Sequence, residues 1–245
     1  MIDIYIHIGT HKTGSTTIQQ ALNDTSCAGD VNWVYSKVRR TTRDMMIAMQ
    51  YDSILVKRLK AEIQRNMSYA KSVKAKRLIL SNEALSGLPH LGYINSNVVI
   101  SMLRDATRQY NTKILIFLRR QDSFVESMYT QMIHQGEFLD FEDFLNQFSS
   151  PDALDYRRML DELSATFGEQ NLIVKSYHES SKIGLIDNFS EIIKSNLSIY
   201  SEKGYDNPSY SRHAVEIAKI CNKNLDQEKK SQLRQALQVA MGKKR

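Results

Sequence analysis

Residues 4 to 17 read Ile4-Tyr5-Ile6-His7-Ile8-Gly9-Thr10-His11-Lys12-Thr13-Gly14-Ser15-Thr16-Thr17, and Ile18-Gln19-Gln20-Ala21-Leu22 follows. The alternation from Ile4 to Ile8 predicts a strand, the glycine-bounded hydroxyl-rich stretch a loop, and the residues after it a helix. A strand–loop–helix of this kind turns several backbone N–H groups and a helix N-terminus toward one point. That arrangement suits an anion such as phosphate or sulfate.

A second run has complementary chemistry. Ile114-Leu115-Ile116-Phe117-Leu118 predicts a buried strand, and Arg119-Arg120-Gln121-Asp122-Ser123-Phe124-Val125-Glu126-Ser127 leads from its tip into a helix starting near Ser123. Ser123 and Ser127 then share a helix face one turn apart. Guanidinium donors match phosphate oxygens, so Arg119, a serine hydroxyl and a helix start suit a phosphomonoester.

The first loop has the glycine spacing of a nucleotide P-loop, which would place lysine directly after the second glycine. Here Ser15 follows Gly14, and the lysine lies two positions earlier, at Lys12. The segment Lys12–Thr17 resembles the 5′-phosphosulfate-binding loop of sulfotransferases that use 3′-phosphoadenosine 5′-phosphosulfate (PAPS). Arg119 and Ser127 have the eight-residue spacing of the Arg and Ser that hold the 3′-phosphate in that family. The proline that often follows the arginine is replaced here by Arg120-Gln121-Asp122, a variant shared by some bacterial members. The resemblance implies a cofactor site of His11, Lys12, Thr13, Gly14, Ser15, Thr16, Thr17, Arg119 and Ser127. It further implies PAPS as sulfuryl donor and no required metal.

Sulfuryl transfer needs a cation beside the departing oxygen and a base for the acceptor hydroxyl. Lys12 fills the first role. Glu83, in Leu80-Ser81-Asn82-Glu83 after a predicted strand, is the expected base, as in the relatives that act on glycosaminoglycans. The same residues also read as a short helix capped by Ser81 or Asn82 with Glu83 in its first turn. Relatives acting on small phenols and steroids use a histidine. Of the six here, His7 reads as a packed strand residue, His11 belongs to the loop, and His90 and His134 are alternative substrate contacts. Arg39, Arg40 and Arg43 read either as a contact for an acidic acceptor or as a solvated face. Met45, Met46, Ile47 and Met49 read as helix core or cleft lining.

The elements that must position these groups form an α/β pattern. Predicted strands at Ile4–Ile8, Arg77–Leu80, Lys113–Leu118 and Asn171–Lys175 alternate with helices at Asp52–Lys74 and Asn97–Tyr110. This predicts a P-loop-like, doubly wound parallel sheet flanked by helices, with ligands beyond the carboxyl ends of the strands. Attention therefore falls on Gly9–Thr17, Ser81–Gly87, Arg119–Ser127 and Ser176–Ser181. The C-terminal half reads as helical: Phe141–Phe148, Asp152–Phe167 with a start at Ser149-Ser150-Pro151-Asp152, Ile183–Ser195, Arg212–Lys223 and Asp226–Ala240. Lys203-Gly204-Tyr205 with Asn207–Ser211 resembles a nucleotide-covering loop, and Gly242–Arg245 a frayed tail.

The 245 residues fit a single sulfotransferase domain spanning 1–245. A hydrophobic share of 42% and a charged share of 24% are those of an ordinary globular protein. The net charge of +6 favours anionic partners. Two cysteines without CxxC spacing, Cys27 and Cys221, argue against a disulfide framework or zinc site. Without an apolar run of membrane-spanning length, the expectation is a cytoplasmic, bacterial enzyme with at most peripheral membrane contact. Its expected acceptor is a hydroxyl, less readily an amine, of a carbohydrate or glycolipid. A P-loop kinase is disfavoured by the missing lysine and by the lack of an acidic magnesium ligand after a strand. A nucleic-acid module is disfavoured because the aromatics fall at core spacing.

Overall fold

The computed structural model describes residues 2–27, 32–197 and 210–241. Its chain divides into two compact units, Met1–Arg119 with Ser150–Lys203, and Arg120–Ser149 with Gly204–Arg245.

The first unit is built on five strands, β1 (Asp3–His7), β2 (Trp33–Ser36), β3 (Arg77–Ser81), β4 (Thr112–Leu118) and β5 (Leu172–Ser176), in the order β2-β3-β1-β4-β5. Every pairing is parallel. This is the parallel, helix-flanked sheet expected from the strand–helix alternation. The alternation along β1 separates two faces. Tyr5 joins Ile79, Leu115 and Phe117 in one core layer, with Ile18 and Leu22 of α1 (Ser15–Cys27) and Phe189 and Ile193 of α9 (Leu185–Ile193). Ile4, Ile6, Leu78, Leu80, Ile114 and Ile116 are also fully buried. They point to the other face, which is served by α3 (Ser53–Ser72), α4 (Ser96–Thr107) and α7 (Tyr156–Phe167). The remaining helices of this unit are α2 (Arg39–Ile47) and α8 (Tyr177–Ile183).

Strand β1 is central, and its register aligns His7 with Ser81 on one side and Leu115 on the other. The chain segments leaving β1 and β3 therefore emerge side by side, and the His7 carbonyl accepts a hydrogen bond from the Asn82 N–H at 3.0 Å. His7 itself is 1% exposed, as a packed strand histidine should be. Its Nδ1 lies 2.9 Å from the Ser81 hydroxyl, and its ring meets Phe117 and Phe189 edge-on.

Three local expectations are corrected. The helix expected from Asp152 begins at Tyr156, capped by the Asp155 carboxylate. The residues before it are turned away when Leu154 adopts φ 60° and its N–H donates to the Gly92 carbonyl at 2.8 Å. The helix expected over Ile183–Ser195 is α9, Leu185–Ile193, and Ile183 instead ends α8. Ser176 ends β5 and caps α8 directly, accepting from the Glu179 N–H at 3.3 Å. The helix expected near Ser123 begins at Gln121. Strand β2 was not foreseen.

The second unit holds α5 (Gln121–His134), α6 (Phe141–Leu145), α10 (Arg212–Asn222) and α11 (Gln227–Met241). The Asn222 amide, 3% exposed, donates to the Ile133 and Glu137 carbonyls at 2.9 and 2.8 Å, pinning α10 to the end of α5. Tyr129, Phe141, Phe144 and Phe148 form a run of ring contacts under α6. The covering loop read at 203–211 and the tail at 242–245 lie mostly or wholly outside the described residues.

Burial lowers the His7 pKa from 6.5 to about 4, with the Glu83 charge opposing the shift. Between those limits the unfolded chain binds a proton that the folded chain refuses, so this stability is complete above pH 6.5 and is lost as pH falls toward 4. In urea titrations, His7→Asn should flatten the dependence of stability on pH in that window by up to about 1.4 kcal/mol per pH unit. An unchanged slope would show that His7 does not titrate as a buried neutral ring.

Candidate functional site

The loop after β1 keeps contact with β4 beyond the end of the strand. The Ile8 N–H donates to the Leu115 carbonyl at 2.9 Å, and both the N–H and the hydroxyl of Thr10 donate to the Phe117 carbonyl, at 3.3 and 3.1 Å. The chain then reverses. The Thr13 hydroxyl donates to the Thr10 carbonyl at 2.5 Å, Lys12 takes φ 67° and Gly14 φ 74°.

A left-handed lysine is uncommon and must be held. The Arg119 guanidinium holds it, donating from one Nη to the Lys12 carbonyl at 2.9 Å. Arg119 lies over the Tyr177 ring, its guanidinium carbon 5.6 Å from the centroid. On the other side, the His11 N–H donates to the Tyr93 hydroxyl at 2.8 Å.

Helix α1 starts at once, with the Ile18 N–H bonded to the Gly14 carbonyl at 3.1 Å. Gly14 therefore occupies the N-cap position and brings no side chain to compete for the first-turn donors. The N–H groups of Ser15, Thr16 and Thr17 have no partner inside their own helix. Together with the positive end of the helix dipole and the ammonium of Lys12, they make a site suited to an anion. Thr13 and Ser15 are buried, while Lys12, Gly14 and Thr17 are half-buried and Thr16 is exposed.

Glu83 stands where the short-helix reading put it. It opens a one-turn helix, Glu83–Ser86, capped by the Asn82 side chain, which accepts the Ala84 N–H at 3.0 Å. Its carboxylate nevertheless turns toward α1, accepting from Gln19 Nε2 at 2.8 Å and from the Ser15 hydroxyl. Burial alone would raise its pKa. Its own backbone N–H, nearby His11, Gln19 and Ser15 together outweigh burial and hold the carboxyl below the usual glutamate value. Glu83 is thus ionised at neutral pH. Burial lowers His11 from 6.5 to about 4, with Glu83 opposing and the charges of Lys12 and His90 assisting, so its imidazole is neutral.

A cavity of about 810 Å³ opens beside these groups, lined by His11, Thr16, Gln19 and Glu83 on one side and by residues of α2 on another. Met46 lines it and Met45 is fully buried, whereas Ile47 and Met49 are exposed. His90 is exposed. In the second unit, Ser127 is half-buried in the middle of α5, and His134 packs against the Tyr210 ring at a centroid distance of 3.7 Å. Among the described residues no group of His, Cys, Asp and Glu is placed to hold a metal ion. No described helix is long and apolar enough to cross a membrane.

Sequence reasoning missed Gln19, Tyr93 and Tyr177. Gln19 carried a signal, since it follows Ser15 by one helical turn and must share its face. Tyr93 and Tyr177 act through long-range contacts that no local spacing encodes.

No family model matches the chain, and no curated protein matches it in sequence. Among solved structures it is similar to a sulfotransferase from Alicyclobacillus acidocaldarius, with 14% identity and a TM-score of 0.49 over 84% of this chain and 87% of that one. It is similar to a sugar kinase from Janibacter sp. HTCC2649, with 11% identity and a TM-score of 0.42 over 81% and 98%. It is also similar to retinol dehydratase in complex with androsterone and the inactive cofactor PAP, with 15% identity and a TM-score of 0.39 over 96% and 64%.

The loop's dependence on Gly14 has two separable parts. A Cβ there would lie 2.3 Å from Leu185 Cδ2, and the backbone angle of +74° would remain strained without that clash. Gly14→Ala should cost roughly 1–3 kcal/mol in urea unfolding. Adding Leu185→Ala should recover only part of the difference measured in the Leu185→Ala background. Full recovery would mean that the left-handed backbone carries no cost.

Proposed function

We propose that this protein is a PAPS-dependent sulfotransferase that moves a sulfuryl group to a hydroxyl, less readily an amine, of a carbohydrate or glycolipid acceptor. One observation carries the reading: Arg119, the arginine of the second motif, is bonded to the carbonyl of Lys12, the lysine of the first. The arginine of one motif is thus joined to the lysine of the other.

The residues present fit the donor. The N–H groups of Ser15, Thr16 and Thr17, with the side chains of Thr13, Thr16 and Thr17 and with His11 beside them, would receive the 5′-phosphosulfate. Arg119 would receive the 3′-phosphate. Bound there, PAPS supplies an electrophilic sulfur and a phosphate leaving group. Glu83, ionised and within the cavity, takes the proton of the attacking hydroxyl. Lys12 neutralises charge that grows on the departing bridging oxygen, and a cation fixed in place before the reaction is worth most at that moment.

A depressed pKa makes Glu83 fully available but intrinsically a weak base. Its own backbone N–H and His11 depress it most, and the bonds from Gln19 and Ser15 add to this, so an acceptor that displaces either bond would strengthen the base as it binds.

Calorimetric titration with adenosine 3′,5′-bisphosphate in EDTA tests the reading. The account expects binding without magnesium, and a preference for Mg-ATP would instead indicate a kinase. Arg119→Ala should weaken that binding about tenfold to a hundredfold, the worth of one charge-assisted contact to phosphate. An analogue lacking the 3′-phosphate should lose much less. Equal losses would confine Arg119 to holding the loop.

Lys12→Ala should abolish nearly all sulfuryl transfer while leaving product binding within a few fold, because its charge acts chiefly in the transition state. Glu83→Gln should slow single-turnover transfer by roughly 10²–10⁴-fold with cofactor binding intact. A fast Glu83→Gln enzyme would move the base to His11.

A further inference from the structure

Part of the cavity wall is basic. Lys37, Arg39, Arg40 and Arg43 line it, and the only carboxylates among the lining residues are Asp44 and Glu83. Neither carboxylate forms an ion pair with the arginines. Asp44 faces Arg58 at 3.6 Å, and Glu83 is taken up by Gln19 and Ser15. Among the described residues, Arg39, Arg40 and Arg43 enter no ion pair, whereas Lys182, Lys219 and Lys229 each lie within 3.2 Å of a carboxylate on their own helix or next to it.

The placement also runs against helix electrostatics. Arg39, Arg40 and Arg43 occupy the first five positions of α2, at the positive end of its dipole, and no acidic residue stands in that turn. The helix has no side-chain N-cap, and Val38 enters it at φ 42°. Spacings of three and four residues set Arg40 and Arg39 beside Arg43 on one face, while Thr41, Thr42 and Met45 bury the other. Like charges gathered at the wrong end of a helix destabilise it, and such local conflicts concentrate where function requires them.

We infer that the acceptor is anionic: a saccharide carrying carboxylate or phosphate groups, held by Arg39, Arg40 and Arg43 so that a hydroxyl is presented to Glu83. The inference rests on the sulfotransferase reading for the role of Glu83. The charge preference of the cavity follows from its lining alone. Guanidinium groups bind either anion in bidentate fashion, and their planar forks set the orientation of the sugar as well as its affinity.

The test uses matched pairs of probes on the full chain, with and without saturating adenosine 3′,5′-bisphosphate. One pair is a glucuronate-containing tetrasaccharide and its carboxyl-reduced form. The other is glucose 6-phosphate and glucose. At least one charged member should bind tenfold or more tightly than its neutral partner at low salt, about one charge-assisted contact. The preference should shrink as salt is raised. Which pair shows it tells carboxylate from phosphate.

The triple variant Arg39→Gln/Arg40→Gln/Arg43→Gln should lose the preference while its melting temperature stays at or above that of wild type and its affinity for the bisphosphate stays near wild type. Arg43→Gln alone should lose part of it, which guards against a triple variant that fails to fold. Equal binding of charged and neutral partners in both pairs would overturn the inference, as would a preference that survives the triple variant. A collapse of bisphosphate affinity in that variant would overturn it too, by assigning the arginines to the donor. Failure of the wild type to bind the bisphosphate at all would strike the sulfotransferase reading instead, and the probe pairs without bisphosphate would still decide the charge of the ligand.

Discussion

The site depends on one backbone reversal. Between Thr10 and Gly14 the chain must turn from the end of β1 into the start of α1, and it does so through left-handed conformations at Lys12 and Gly14. Gly14 tolerates this because it lacks a Cβ, but Lys12 must be held there. The hydrogen bond from Arg119 supplies the constraint from the tip of β4, and the Tyr93 hydroxyl secures the neighbouring His11 N–H. Without them the first-turn donors of α1 would still exist, but the lysine beside them would not be fixed.

The electrostatics of the cavity follow from that geometry. The exit from β3 places Glu83 next to α1, where its own backbone N–H, His11, Gln19 and Ser15 hold it ionised despite burial. The same burial keeps His11 neutral. A carboxylate and an unprotonated imidazole thus stand by a lysine and a helix N-terminus, so groups able to accept a proton adjoin groups able to stabilise an anion. The arginines of α2 add positive charge to the cavity lining.

Much of this was legible in the sequence, and the gaps have physical causes. Apolar runs marked β1, β3 and β4, because strands buried on both faces leave little room for polar residues, and the shorter run Leu172–Val174 marked β5, a half-buried to exposed edge strand. Strand β2 has only four residues, Trp33–Ser36, of which Tyr35 and Ser36 are half-buried, so its signal is short and mixed. Helix α7 was started too early because Ser150 and Pro151 look like a cap, while the left-handed turn at Leu154 is fixed by Gly92, far away in sequence. Lys12, Gly14, Glu83 and Arg119 could be named from motif and position. The partners that set their states, Gln19, Tyr93 and Tyr177, come from tertiary contacts. Likewise, nothing local shows that the arginines at 39, 40 and 43 line a cavity.

The central claim is that the loop from Gly9 to Thr17 is an anion cradle for the 5′ end of a PAPS-type nucleotide. Amide chemical shifts of ¹⁵N-labelled protein, titrated with adenosine 3′,5′-bisphosphate in the absence of magnesium, test it most directly. The account predicts that the largest shifts fall on the N–H groups of Gly14, Ser15, Thr16 and Thr17, with the Arg119 side chain responding at the same concentration. Binding that leaves those amides unmoved, or that moves them only with Mg-ATP, would contradict it.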